Sequence, residues 1–417
     1  MGTGGQAGTG LGGNGVATGG NTGGNAAGGV SGVAGIGGAG MGGAMAAGGG
    51  SGCAKVAKGR YLIRADGALL LEGDPPATSQ TAVLDASTVT PLTDVADVQD
   101  ATYHGCALQG STQTVWCWRT DTVNGNVNGQ LGNGATDKSG AAFRATQVLV
   151  SAGLPLTNVV AIADGETSQG GLAPGESSCA VTGDGKLYCW GVLSYIANKG
   201  VDLAAPFATV MTTDGSTPLT GVQSVALDAS LSACAIVQGS TNELWCWGYN
   251  NYGQLGLGDT ALHQYPTKVG GLTNPRKVVM NGGYTLVANG DVQRAACAID
   301  GDNVKCWGYN GSGSVATGTT ESPVFAPTTV RLTAGGVALN DIADLHSGDE
   351  SGPAFCALIT DGTLRCWGGP FGNLPALNAI SNVTSLGGLD SNVRAITADG
   401  VYHEGSTSRQ PNCGALD

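Results

Sequence analysis

The stretch Cys234-Ala235-Ile236-Val237-Gln238-Gly239-Ser240-Thr241-Asn242-Glu243-Leu244-Trp245-Cys246-Trp247 holds two short apolar runs on either side of a polar, Gly-containing break. Each run carries one cysteine, and the second ends in tryptophan. The same phrase recurs as Cys106-Ala107-Leu108 to Cys117-Trp118 and Cys179-Ala180-Val181 to Cys189-Trp190. It recurs again as Cys297-Ala298-Ile299 to Cys306-Trp307 and Cys356-Ala357-Leu358 to Cys366-Trp367. The first cysteines lie 73, 55, 63 and 59 residues apart, so the chain is an array of one unit and is read as a repeat protein.

Turn residues separate the two cysteines of a unit, as in Gly183-Asp184-Gly185 and Thr360-Asp361-Gly362. Gly and Asp accept the positive φ of tight turns, so each unit is expected to be a β-hairpin. A cysteine flanks each turn whatever its length. Opposed residues on antiparallel strands have Cα atoms about 4.5–5.5 Å apart, within reach of a disulfide. The expectation is five hairpin disulfides, each closing a loop of about ten residues and contributing on the order of 2–3 kcal/mol. Two other readings stand beside it. Cysteine also packs as a small apolar residue, and cysteine pairs also bind metal, although no Cys-x-x-Cys occurs here. On a strand, Trp118, Trp190, Trp247, Trp307 and Trp367 face away from the neighbouring cysteine, and even repetition makes them core between units rather than a ligand platform.

A further strand signal precedes each unit. Pro91-Leu92-Thr93-Asp94-Val95, Pro155-Leu156-Thr157-Asn158-Val159 and Pro218-Leu219-Thr220-Gly221-Val222 are nearly one phrase. Two degenerate copies flank the five units. Tyr61 to Gly73 aligns without gaps to Cys356 to Gly368, with Tyr61 and Leu71 in place of the cysteines and Glu72 in place of tryptophan. Arg394 to Tyr402 repeats the hairpin near the end. Seven units over residues 53–417 give roughly 52 residues each, the size of a propeller blade. Cys53 and Cys413 remain, one at each end of the array, and are expected to bond and fasten the ring.

The stretch Leu244-Trp245-Cys246-Trp247-Gly248-Tyr249-Asn250-Asn251-Tyr252-Gly253-Gln254-Leu255-Gly256-Leu257-Gly258-Asp259 resembles the repeat of the regulator of chromosome condensation family. Asn128-Gly129-Gln130-Leu131-Gly132 and Trp307-Gly308-Tyr309-Asn310-Gly311 echo it, whereas Gly191-Val192-Leu193-Ser194-Tyr195-Ile196 departs from it. The resemblance covers nearly everything after residue 52. It implies an all-β, seven-bladed β-propeller, and the disulfide pattern suits a secreted, bacterial-type member. A propeller hosts many activities, so fold alone assigns none.

Composition narrows the field. Formal net charge is −13, only 12% of residues are charged, and no Lys/Arg cluster occurs, which argues against nucleic acid as a partner. Residues 1–52 are a different material: 24 of the first 50 are Gly, and none is charged, aromatic or Pro. This stretch is read as a low-complexity tether ahead of a propeller over 53–417, left after removal of a leader that would add a lipid anchor. No apolar run of membrane-spanning length occurs.

Candidate chemistry is sparse. His104, His263, His346 and His403 fall in different units, with His104 and His346 on the approach to two hairpins. Asp-Gly pairs, Asp164-Gly165 among them, read as turns, and Asp300-Gly301-Asp302-Asn303 lacks the spacing of a known calcium loop. Asn310-Gly311-Ser312 and Asn382-Val383-Thr384 match a glycosylation acceptor. No catalytic, cofactor-binding or metal residue is assigned, and the chain is not expected to be an enzyme. The expected role is an extracellular or outer-surface module that recognises another protein or a surface glycan. The irregular segments Asp121 to Ala135, Gly191 to Val201 and Thr319 to Pro327 are the expected contact loops. The alternative is a structural coat or filament subunit that forms oligomers through the Gly-rich stretch.

Overall fold

The structure is a computed structural model. Between residues 54 and 409 it describes all but 59–60, 65, 72–80, 89, 102, 121–125, 137–141, 166–175, 194–203, 229–231, 287–291, 334, 349–353, 370–378, 390–391, 399–401 and 405–406. The Gly-rich stretch, Cys53 and Cys413 lie outside the described residues, and so does the proposed bond between those cysteines.

Among the described residues every regular element is a strand. Among the described residues the strands form seven blade sheets in chain order, blade 1 (54–82), blade 2 (95–147), blade 3 (159–210), blade 4 (222–268), blade 5 (275–329), blade 6 (342–368) and blade 7 (383–409), and a two-stranded hairpin, Leu149–Ser151 with Leu154–Pro155, between blades 2 and 3. Blade 2 gains a short parallel edge strand, Leu84–Asp85. The first strand of each blade touches the first strand of the next. Ala54–Lys58 touches both Val95–Asp100 and Val383–Leu389, so the seven sheets close into a ring with their first strands innermost. Each blade comes from one contiguous segment. Among the described residues, closure involves no exchange of first and last strands between blades.

The repeated phrase ahead of each inner strand now has a physical reason. Asp94, Asn158, Asp341 and Asn382 take φ of 57–60°, and Gly221 takes 72°. Asn, Asp and Gly tolerate this left-handed conformation best. The twist lets the next amide cross to the preceding blade. Val95, Val159, Val222 and Val383 donate to the carbonyls of Gly67, Gln113, Gly185 and Gly362, in or beside the hairpin turns next door. A β-bulge follows within two residues in blades 2 to 7, and bends the inner strand toward the ring.

Candidate functional site

The four seams from blade 2 to blade 6 are built to one rule. In blades 2 to 6 the two cysteines sit directly opposite on the second and third strands, with Cα atoms 4.0–4.1 Å apart, and are bonded: Cys106–Cys117, Cys179–Cys189, Cys234–Cys246, Cys297–Cys306 and Cys356–Cys366. Each disulfide faces the following blade. Each tryptophan is buried against the preceding one: Trp190 packs with Cys106 and Cys117, Trp247 with Cys179 and Cys189, Trp307 with Cys234 and Cys246, and Trp367 with Cys297 and Cys306. Trp118 has no disulfide to meet in blade 1. It packs edge-on against Tyr61, with ring centroids 5.2 Å apart, and its indole N–H donates to the Tyr61 hydroxyl at 2.8 Å.

The loops between third and fourth strands lock the seams. The indole N–H groups of Trp190, Trp307 and Trp367 donate to the main-chain carbonyls of Gln130, Gln254 and Ser314 in the preceding blade. One asparagine holds each loop in shape. The side-chain oxygens of Asn126, Asn250 and Asn310 accept from the amides of Leu131, Leu255 and Val315, five residues on. Their amide nitrogens donate to the carbonyls of Ala135, Asp259 and Thr319, nine residues on. A Cβ on Gly132 or Gly256 would come within 2.9 Å of the Trp190 or Trp307 indole, at positive φ. The described part of Asp121 to Ala135, residues 126–135, is therefore a wedge in the seam, with Gln130 fully buried, rather than a free contact loop. Asn310 is fully buried and both ends of its amide are engaged, so the Asn310-Gly311-Ser312 triplet is closed to modification. Gly191 and a buried Leu193 begin the non-standard loop of blade 3, whose remainder lies outside the described residues.

Between blades 2 and 3 the seam also encloses a polar cluster. His104 opens the second strand of blade 2 and is fully buried. Its Nδ1 lies 2.5 Å from Glu176 Oε2, its Nε2 lies 2.7 Å from Ser178 Oγ, and Asp164 Oδ2 is 3.9 Å from that same nitrogen. The Tyr103 amide donates to Glu176 Oε1 and holds the carboxylate in place. Cys106 Sγ is 3.7 Å from Ser178 Oγ. Asp164, read from its Asp-Gly pair as a turn residue, is instead the next-to-last residue of the inner strand Val159–Gly165. The register of that strand carries it past the bulge and into the seam, opposite Ser178.

The electrostatics of the cluster follow from burial. Burial alone would lower the His104 imidazole, but the Glu176 and Asp164 carboxylates, with Asp100 behind them, outweigh it and raise the pKa above the ordinary histidine value. Burial also pushes Asp164 up to about 6, against the pull of His104 and the nearby Ser178 hydroxyl. Glu176, His104 and Ser178 stand in the order of a carboxylate–histidine–serine triad. All three are fully buried, and Ser178 sits inside a strand, so a substrate cannot reach its oxygen.

Other charges join blades in a similar way. Arg294 reaches Asp228 at 3.6 Å and lies over the Tyr249 ring, and Lys277 pairs with Asp344. Asp300 accepts from the Thr273 and Asn274 amides and pairs with Lys305, so it anchors the turn. His346 sits on the inner strand of blade 6 with Nδ1 donating to the Ser347 carbonyl, and His263 pairs with Asp259. His104, His263 and His346 stand in different blades with separate partners, and the side chain of His403 lies outside the described residues. Sequence reasoning missed the partners of His104 because they lie 72 and 74 residues away, on another blade.

Comparison with known proteins agrees with this architecture. The model of the regulator of chromosome condensation (RCC1) repeat matches residues 241–288. The chain is 29% identical over 198 residues to the ultraviolet-B receptor UVR8 of Arabidopsis thaliana, across 46% of this chain and 38% of that protein. It is 32% identical over 152 residues to the human X-linked retinitis pigmentosa GTPase regulator, across 36% of this chain and 13% of that protein. The chain thus spans well under half the length of these two relatives. Among solved structures, Prp20p of Saccharomyces cerevisiae superposes with a TM-score of 0.56 at 14% identity, covering 82% of each chain. Human WBSCR16 superposes with a TM-score of 0.54 at 17% identity, covering 79% of this chain and 85% of that one. The chain is a β-propeller with a regulator of chromosome condensation repeat at residues 241–288.

Proposed function

We propose that this propeller is an exported recognition module whose loops bind another protein, without catalysis of its own. The observation that carries the reading is the seam: five buried disulfides stiffen the blades, and such bonds persist in oxidising compartments. The triad-ordered cluster is sealed, which favours binding over hydrolysis. Prp20p, similar in fold, has binding properties toward Gsp1p and histones, so protein recognition is an established use of such a scaffold. Thr319 to Pro327, which runs into the strand Val324–Thr329, is the segment taken here for the contact, since Phe325 is 40% exposed. Leu262 and Tyr265 add exposed apolar surface on blade 4.

The test has two parts. Native protein is alkylated without reductant and weighed intact; no modified cysteine is expected, and a fully alkylated chain would overturn export. Immobilised protein is then offered surface extracts beside a Phe325→Ser variant. A stoichiometric protein partner lost in the variant supports the reading. Large homogeneous particles of the chain alone, in light scattering, would favour the structural-coat alternative.

A further inference from the structure

We propose that opening the Cys106–Cys117 bond turns the seam between blades 2 and 3 into a binding site for a zinc-class divalent metal. Its ligands would be Cys106 Sγ, His104 Nε2 and an Asp164 carboxylate oxygen. One ligand atom from each already lies within 4.8 Å of the others. A tetrahedral zinc site with bonds of about 2.0–2.3 Å separates its ligand atoms by roughly 3.3–3.8 Å. The required contraction is therefore small.

Three further observations point to a metal. First, the Asp164 side chain is 2% exposed, and its oxygens meet only His104 Nε2 at 3.9 Å and the nearby Ser178 hydroxyl, although buried carboxylates are ordinarily held by close hydrogen bonds. Second, His104 is oriented as metal-bound histidines are. A carboxylate takes the Nδ1 side at 2.5 Å, so Nε2 turns toward Asp164 and Ser178. Third, a Cys–His–Asp donor set suits zinc in softness and charge. The Ser178 hydroxyl, 2.7 Å from His104 Nε2 and 3.7 Å from Cys106 Sγ, lies beside the set and would move or become the fourth ligand.

In the bonded form Cys106 offers only a disulfide sulfur, a poor ligand, so the site is closed. An external dithiol opens it: two electrons pass to the Cys106–Cys117 bond, both sulfurs become thiols, and the dithiol closes to its own disulfide. On metal binding the Cys106 thiol releases its proton to solvent and its sulfur coordinates. The residue two before the first cysteine is histidine in blade 2 alone; its counterparts are Ser177, Ser232, Ala295 and Ala354. The other four disulfides are thus internal controls. The pairwise zinc spacings considered in the sequence do not find this site, because its third ligand comes from the next blade.

The experiment uses the full chain carrying Cys117→Ala, which frees Cys106 without reducing the other pairs, and titrates it with Co2+. The expected result is one Co2+ per chain with a thiolate-to-cobalt charge-transfer band in the near ultraviolet. That band should be absent in the disulfide-bonded parent, and affinity should fall at least tenfold on adding His104→Ala or Asp164→Asn. No band, or a band indifferent to both substitutions, overturns the proposal. Should Cys117→Ala fail to fold, the parent chain is treated with a dithiol and alkylated with and without Zn2+. Zinc should protect Cys106 and spare Cys234 no alkylation; equal protection of the two, or none of Cys106, overturns the proposal equally.

Discussion

The seam between blades 1 and 2 and the seam between blades 4 and 5 meet the same demand with different parts. In both, a tryptophan of the second blade faces the first and needs apolar surface plus one hydrogen-bond acceptor. Between blades 4 and 5, the Cys234–Cys246 disulfide supplies the surface and the Gln254 carbonyl the acceptor. Between blades 1 and 2, Tyr61 supplies both, ring and hydroxyl together. Tyr61 stands opposite Leu71 as each first cysteine stands opposite its partner, so the substitution is made in register. What the seam preserves is the environment of the indole rather than the covalent bond.

The largest expected effect is the loss of an indole. Trp307→Ala should cost about 3–5 kcal/mol, and Trp118→Ala about the same, read from the denaturant midpoint. A Trp118→Ala chain as stable as the parent would mean that the two seams are not equivalent. Next, replacing both Cys234 and Cys246 by alanine should cost about 2–3 kcal/mol, since a short closed loop is released in the unfolded chain. Gly256→Ala follows at about 1–3 kcal/mol, because the new methyl enters the Trp307 indole at a φ of 70°. Tyr61→Phe keeps the ring but strands the Trp118 N–H, at about 1–2 kcal/mol. Were Tyr61→Phe neutral, the hydroxyl would be dispensable and packing alone would explain the seam.

The smallest expected effect separates the seam between blades 2 and 3 from the rest. The folded-state pKa of His104 is raised, so its stabilisation is fully present below the ordinary histidine value and is lost as pH rises through the folded one. Asp164, raised to about 6, acts in the same direction: the seam loses stability as pH climbs from about 4 toward 6. The destabilisation by His104→Gln should therefore shrink between pH 5.5 and pH 9 in matched denaturation curves. A difference that stays constant with pH would mean that His104 is neutral throughout.

The hairpins, their paired cysteines and the Tyr61 substitution were legible in the sequence, because each is decided within a dozen residues. The Asp94, Asn158 and Gly221 phrase was visible as a pattern. Its reason, a left-handed residue that sends the next amide into the preceding blade, is tertiary. Asp164 was misplaced because Asp-Gly is a strong turn signal, and only the register of the inner strand overrides it. The loop at 126–135 looked free because Asn and Gly dominate it. Its signal was nevertheless present: an asparagine five residues before an apolar residue recurs as Asn126 with Leu131, Asn250 with Leu255, and Asn310 with Val315. The cluster around His104 carries no local signal, since its members meet only when two blades pack.

Each of blades 2 to 6 offers its disulfide forward and its tryptophan backward, which makes the seam a head-to-tail joint. Such joints generate rings when the rotation per joint closes and open spirals when it does not. Seven joints close at roughly 51° each, so blade number is governed by the angle of the joint rather than by the identity of any blade. A duplicated blade would find both neighbours already shaped to receive it. Blades 7 and 1 have neither paired cysteines nor a tryptophan on the third strand, and there the polarity lapses. Among the described residues, the head-to-tail rule of the other joints does not extend to that one.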